Sequence, residues 1–176
     1  KNIDITLRLG GNITMSVDNG DTPVFTKYQD ITTIGATDWE AFTIGSETFL
    51  AVANNYNGST VNLDSKIYRW DGNEFDEFQT IPTNDAYDWE SFTIGSNTFL
   101  AVANAYNGSS YNCNSFIYQW NGSQFVQIQV LPTNGAMDWK AFTIGSGTYL
   151  AVANYHNNTT FNIDSYIYRW NGSQFA

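Results

Sequence analysis

Residues 38–59 read DWEAFTIGSETFLAVANNYNGS, residues 88–109 read DWESFTIGSNTFLAVANAYNGS, and residues 138–159 read DWKAFTIGSGTYLAVANYHNNT. Trp39, Trp89 and Trp139 therefore stand 50 residues apart with no insertion between copies. The same spacing holds for Leu50, Leu100 and Leu150, for Trp70, Trp120 and Trp170, and for Phe25, Phe75, Phe125 and Phe175. A fixed period of this length marks stacked supersecondary units, none of which buries its apolar face alone. Three units, approximately 25–74, 75–124 and 125–176, make one array over the chain of 176 residues, and residues 1–24 form an atypical N-terminal partial unit.

Within a unit the apolar pattern is that of strands. FTIGSETFLAVAN (residues 42–54) holds two β-rich runs joined at Gly-Ser-Glu, and IYRWDGNEFDEFQTI (67–81) holds two more around Asp71-Gly72. The Asp-Gly dipeptide, replaced by Asn121-Gly122 and Asn171-Gly172 in the later copies, predicts a tight type I′ hairpin. Two hairpins give four antiparallel strands, and a four-stranded unit repeated every 40 to 50 residues is a β-propeller blade. The fold class is all-β: a propeller of about three to three and a half blades per chain. Trp39, Trp89 and Trp139 are expected to be buried between blades, with Trp70, Trp120 and Trp170 as further structural aromatics. Residues 23–31, PVFTKYQDI, match the outer strand of a blade that the first full copy follows. The strand count predicts closure by a homodimer or by a longer native chain, the first strand of one subunit completing the last blade of another.

Composition bounds the function. Seven Lys plus Arg against seventeen Asp plus Glu give a net charge of −10, which repels phosphate backbones and argues against nucleic-acid partners. No apolar run approaches the roughly 20 residues that a membrane-spanning helix needs, so no membrane insertion is expected. The sequence starts with Lys rather than Met, as a secreted protein would after signal removal or as an excised fragment would.

Asp-Trp-Glu, Phe-Thr-Ile-Gly, Leu-Ala-Val-Ala-Asn, Ser-x-Ile-Tyr-x-Trp-Asn/Asp-Gly and a closing Phe-x-x-x-Gln together resemble the epilepsy-associated repeat, or EPTP repeat. The resemblance implies a seven-bladed extracellular propeller, as in the secreted leucine-rich glioma-inactivated proteins, that binds proteins and is not catalytic. It also implies calcium in the channel, as in some propellers of that family.

Asp38, Asp88 and Asp138 precede the repeated Trp, and equivalent positions on innermost strands converge on the axis. They are candidate calcium ligands, since a hard cation takes several oxygen donors, or else each caps a turn through its own backbone. Glu40 and Glu90, two residues further along the strand, share that face, but Lys140 breaks the series, so solvated blade rims explain them better than glycosidase carboxylates. Asp64, Asn114 and Asp164 read as Asx turns. Cys113 stands where Leu63 and Ile163 stand and reads as a core thiol; one cysteine makes no intrachain disulfide.

Tyr56, Tyr106 and His156 share a loop register and are the candidate ligand-binding residues. Sequons begin at Asn12, Asn57, Asn107, Asn121, Asn157, Asn158 and Asn171. Asn57, Asn107 and Asn157 are the expected glycosylation sites, while Asn121 and Asn171 are explained by the hairpin turn. No nucleophile, metal or phosphate-loop motif supports an enzyme. The expected function is a secreted, non-catalytic module that recognises an extracellular protein through its loops; the alternative is a multivalent lectin with repeated sugar sites.

Overall fold

A computed structural model describes residues 25–176 and resolves the repeats into three antiparallel sheets. The first sheet is a meander of β1 (Ala36–Ile44), β2 (Glu47–Asn54), β3 (Asn62–Trp70) and β4 (Phe75–Asn84). The second repeats it with β5 (Ala86–Ile94), β6 (Asn97–Asn104), β7 (Asn112–Trp120) and β8 (Phe125–Asn134). The third has β9 (Ala136–Ile144), β10 (Gly147–Asn154) and the short β11 (Tyr166–Arg169), in the order β11-β10-β9. The sheets are propeller blades, as the 50-residue period predicts. Each blade begins ten or so residues after its sequence repeat, because the repeat opens with the outer strand of the blade before.

The run Phe-Leu-Ala-Val-Ala is apolar at successive positions because the second strand of a blade lies between two neighbours: β6 buries both faces, whereas β10, with Tyr-Leu-Ala-Val-Ala, buries Leu150 and Val152 and leaves Ala153 exposed. Phe49, Ala51, Ala53 and Ile67 of the first blade pack against Trp89, Leu100, Val102, Tyr118 and Phe125 of the second. Phe99, Ala101, Ala103 and Ile117 of the second pack in the same way against Trp139, Leu150, Val152 and Phe175 of the third. Aromatic contacts follow the same rule: Phe42 meets Phe125 edge-on at 5.7 Å and Phe92 meets Phe175 at 5.7 Å. Trp120 lies 5.8 Å from Phe49, and Trp170 lies 5.7 Å from Phe99. Burying a large side chain of this kind contributes about 1.5–3 kcal/mol, so each junction is held chiefly by apolar area.

Polar groups align the blades. Gln79 clasps the next blade, its Nε2 donating to the Phe125 carbonyl at 2.8 Å while its Oε1 accepts from the Phe125 N–H at 2.8 Å. Gln129 does the same to Phe175, and Gln29 to Phe75. Inside a blade, the Asn54 N–H donates to Ser65 Oγ, which shares a hydrogen bond with Thr83 Oγ1, and Thr83 donates to the Leu63 carbonyl. Asn104, Ser115 and Thr133 repeat that buried chain.

Four expectations change. Trp89 and Trp139 are 1% exposed, but Trp39 is 41% exposed because no blade precedes it among the described residues. The β3–β4 connection is a four-residue loop, not a type I′ turn: Asp71 Oδ1 accepts from the Asn73 and Glu74 N–H groups, and only Gly72 has positive φ. Asp64 and Asn114 lie inside β3 and β7 rather than in turns. Residues 25–33 form no ladder, although Gln29 sits where an outer strand's Gln sits. The partial unit assigned to residues 1–24, with Asn12, lies outside the described residues.

Candidate functional site

The innermost strands β1, β5 and β9 present one backbone edge that no strand pairs among the described residues. In β5 and β9 its N–H groups are met by carboxylates of the blade before. Asp38 Oδ2 accepts from the Trp89 N–H at 3.0 Å, and Asp88 Oδ2 accepts from the Trp139 N–H at 2.8 Å. Glu40 Oε1 accepts from both the N–H and the hydroxyl of Ser91, and Glu90 Oε1 accepts from the Ala141 N–H. The indoles complete the junction, Trp89 Nε1 donating to the Val52 carbonyl and Trp139 Nε1 to the Val102 carbonyl. Asp38 and Asp88 thus cap the neighbouring blade, not a turn of their own, and Glu40 and Glu90 are junction groups rather than solvated rims; Glu90 is 8% exposed.

These carboxylates feel one another. Burial, with Asp38, Asp138 and Glu90 nearby, pushes the Asp88 carboxyl up to about 7 against the opposing pull of the Trp139 N–H. Asp138 is raised by burial first and then by Glu90. Lys140 answers part of this charge, its Nζ lying 2.9 Å from Glu90 Oε2. Among the described residues no three acidic, histidine or cysteine side chains group closely enough to hold a metal ion.

The loop end carries a second feature, aromatic and partly exposed. The β2–β3, β6–β7 and post-β10 loops lie at the blade end that also carries the interblade links at Asp85 and Gly135. Asp85, at φ 50°, donates its N–H to the Val61 carbonyl and accepts from Asn55 Nδ2, while Gly135 donates to the Tyr111 carbonyl. From the second loop to the third runs a row of rings. Tyr106 and Tyr111 lie 4.8 Å apart, Tyr111 meets His156 edge-on at 4.8 Å, and His156 lies 4.4 Å from Phe161. Tyr155 closes on Phe161 at 5.0 Å. Phe161 is 65% exposed and Tyr155 48%. Asn158, with φ 76°, ties the two loops together: its Oδ1 accepts from the Tyr111 N–H and its Nδ2 donates to Ser110 Oγ.

Two of the three expected ligand residues, Tyr106 and His156, therefore share one surface. Tyr56 does not join the row; the position of Tyr111 and Phe161 is Val61 in its loop. Sequence reasoning missed Tyr111, Tyr155, Phe161 and Asn158. Their signal is departure from the repeat, at places where the copies disagree.

Asn57, Asn107 and Asn157 each close their loop through Oδ1, which accepts from two backbone N–H groups and one hydroxyl. Asn121 and Asn171 make the same three bonds. The two sets of sequons are geometrically equivalent, which removes the reason for expecting the turn sequons to be spared. Cys113 is a buried free thiol that donates to the Asn104 carbonyl, and burial pushes it up to about 12.

The EPTP domain model matches residues 24–71, 74–121 and 124–171, once per repeat and over most of the chain. The chain belongs to the EPTP domain family. It is similar to the "Thrombospondin-type laminin G domain and EAR repeat-containing protein" of Mus musculus and of Homo sapiens, at 52% identity over 50 residues in each case. Each match covers 28% of this chain and 8% of the relative, so the matched stretch is a small part of those proteins. No helix among the described residues is long and apolar enough to cross a membrane.

Proposed function

We propose that this EPTP array is a secreted, non-catalytic module that recognises an extracellular protein through the loop end carrying Tyr106, Tyr111, His156, Tyr155 and Phe161. The observation that supports it is the aromatic row itself, half-buried at Tyr106, Tyr111 and His156 and exposed at Tyr155 and Phe161. Tyrosine and other aromatic side chains are enriched at protein interfaces because they offer large contact area with few rotatable bonds. The row grows across the array, from Val61 to Tyr111 to Phe161, so the loops present a graded surface rather than three equal pockets. That grading supports a protein partner over the lectin alternative, which needs equivalent sites. The family, and the extracellular-matrix modules named in its relatives, support the extracellular setting.

A display screen of the chain against extracellular ectodomains tests the reading, with a glycan array run in parallel. A protein hit that weakens at least tenfold with Phe161→Ser and Tyr111→Ser, and not with Tyr56→Ser, is expected. Glycan binding that falls equally with all three substitutions overturns it in favour of the lectin. Calcium on the axis belongs to this reading only for a closed ring, and an identical melting temperature in excess calcium and in chelator removes it.

A further inference from the structure

The loop end differs from the rest of the array in charge. The Lys and Arg residues beyond position 24 are Lys27, Lys66, Arg69, Lys140 and Arg169. Lys27 pairs with Asp30, Lys66 with Glu77, Arg69 with Glu47 and Lys140 with Glu90, while Arg169 lies over the Tyr149 ring. Lys66 and Lys140 stand in mid-strand, and Arg69 and Arg169 stand beside the β3–β4 loop and its third-blade counterpart, at the other end of the blades. The segments that build the loop end, residues 55–61, 84–87, 105–111, 134–137 and 155–161, contain Asp85 and no other Asp, Glu, Lys or Arg. In a chain of net charge −10, this surface combines aromatic rings with one carboxylate and neither Lys nor Arg.

Asp85 is also out of pattern. Its register holds Gly35 in the first copy and Gly135 in the third, and φ is positive in each, at 55°, 50° and 59° along the chain. Glycine adopts that backbone freely, whereas a residue with a Cβ is strained there. The second copy thus holds a carboxylate where the fold alone needs only glycine. Burial raises this carboxyl, and the opposing bond, from Asn55 Nδ2 at 2.6 Å, comes from an amide and not from a cation.

The same residue is built into the ring cluster. Its N–H donates to the Val61 carbonyl at 2.7 Å and its carbonyl accepts from the Ala105 N–H at 3.1 Å, so it sits between the first and second loops, beside the residue that precedes Tyr106. Tyr87, two residues on, has its hydroxyl raised by burial first and then by Asp85, with Tyr111 and Tyr155 adding to the rise. Tyr111 is held by the Gly135 N–H, which donates to its carbonyl at 2.6 Å. The Tyr106 and Tyr111 rings meet at 42°, and those of Tyr111 and His156 at 90°. They stand as walls instead of closing into a face-to-face stack, and each is only half-buried.

The geometry points to an arginine side chain of the partner protein as what this surface takes, its guanidinium stacked on Tyr106 or Tyr111 and paired with the Asp85 carboxylate. The inference rests on the loop-face reading and names the chemistry that the face holds. A cation over an aromatic ring is attracted by the negative ring face, and more strongly where water is partly excluded. Arginine fits better than lysine because the guanidinium is flat, weakly hydrated and forked to match a carboxylate. Charge complementarity selects a basic segment: the field of the chain steers it inward, whereas an acidic segment meets that field and Asp85 with no Lys or Arg at this end to answer it.

Amide NMR of the 176-residue chain tests this with acetyl-Gly-Arg-Gly-Arg-Gly-amide and with the same peptide carrying citrulline for arginine. Citrulline keeps the flat shape and loses the charge. The arginine peptide is expected to shift the Asp85, Tyr87, Tyr106 and Tyr111 amides, and the citrulline peptide to bind about tenfold more weakly or not at all. Asp85→Gly and Tyr111→Val are each expected to weaken the arginine peptide about fivefold or more. Both install the residue that another copy carries at that register, and unchanged amide shifts elsewhere report an intact fold. Equal binding of the two peptides overturns the inference. So do shifts confined to Glu47, Asp71, Glu74 and Asp76 at the other end, or loop-end shifts that both substitutions leave unchanged. The ectodomain screen separates this result from the module reading. A protein hit that needs Tyr111 and is indifferent to Asp85→Gly keeps the module and removes the arginine, while an arginine site in a chain that finds no ectodomain does the reverse.

Discussion

Asp88→Asn isolates the charge at the centre of the axial edge, because Asn keeps an oxygen that accepts from the Trp139 N–H and gives up the ionisation. Two effects oppose each other at the wild-type carboxylate. The hydrogen bond from Trp139 favours the ionised form by about 1.5–3 kcal/mol, the range for bonds to charged groups. Burial and the neighbouring Asp38, Asp138 and Glu90 disfavour it, and their sum wins, since the carboxyl stands at about 7 rather than at its ordinary 3.8. A shift of about three units corresponds to at most about 4 kcal/mol at 1.36 kcal/mol per unit, and partial exposure to solvent reduces this to about 1–2 kcal/mol.

The sign follows from proton binding. Between pH 3.8 and about 7 the folded chain holds a proton on Asp88 that the unfolded chain has released, so this group's contribution is full below the lower value and is lost as pH rises through the upper one. Asp88→Asn is therefore expected to match wild type near pH 4 and to exceed it by about 1–2 kcal/mol at pH 8, or about 3–6 °C in melting temperature for a chain of this size. Denaturant unfolding of both proteins from pH 4 to 8.5 measures the difference, in which the other carboxylates cancel. A difference that does not change with pH, or a variant less stable than wild type at pH 8, refutes the reasoning and shows that the Trp139 bond outweighs burial.

Trp89→Ala is expected to cost about 3–5 kcal/mol as a large core truncation, and Trp89→Phe about 1–3 kcal/mol from leaving the Val52 carbonyl unpaired, both read by urea unfolding. Ser65→Ala should cost about 1–3 kcal/mol, since it strands the buried Asn54 N–H, whereas Ser165→Ala should cost under about 0.5 kcal/mol because the same bond in the third blade is exposed. In a glycosylating host, mass mapping should find Asn121 and Asn171 modified to the same extent as Asn57 and Asn107; modification confined to one set would show that something other than the shared turn geometry selects the site.

The blades were legible because a 50-residue period needs no knowledge of contacts, and FLAVA and FTIG carry strand character in their own letters. The junctions were much less so. Asp38 meets the Trp89 backbone 51 residues away, and a backbone N–H has no letter, so the sequence offers only the Asp and suggests a local turn. The Gln29, Gln79 and Gln129 clasps hide for the same reason. Asp71-Gly72 misled differently: the side-chain oxygen of Asp71 closes a four-residue loop by itself and leaves the dipeptide's usual backbone turn unused. Trp39 looks identical to Trp89 in sequence, and what distinguishes them is that the described residues hold a preceding blade only for Trp89.

Comparison of the three copies with one another separates frame from surface. The Trp of Asp-Trp, the Asn of Ala-Asn, the Ser of Ser-x-Ile-Tyr and, in the outer strands, the Gln of Phe-x-x-x-Gln do not vary, and wherever a neighbouring blade is described each is held by a hydrogen bond that spans blades or strands. Change falls in the outer strands, where Asp76, Glu77, Phe78 and Thr80 become Val126, Gln127, Ile128 and Val130, and again at the loop end: Asn55, Ala105 and Tyr155; Tyr56, Tyr106 and His156; Val61, Tyr111 and Phe161. Drift in exposed loops after duplication explains variation but not its direction, because solvent-facing drift has no reason to install large rings at an apolar cost. In the third copy Tyr155 and Phe161 replace Asn55 and Val61, and Asn158 replaces the glycine of the other copies while bonding to the second loop. Rings brought together and then tied across blades are what a surface that must hold its shape against a partner requires. The hydrogen-bonded positions of the frame therefore repeat while the loop end does not, and under the proposed reading a partner's contacts are weighted toward the second and third blades.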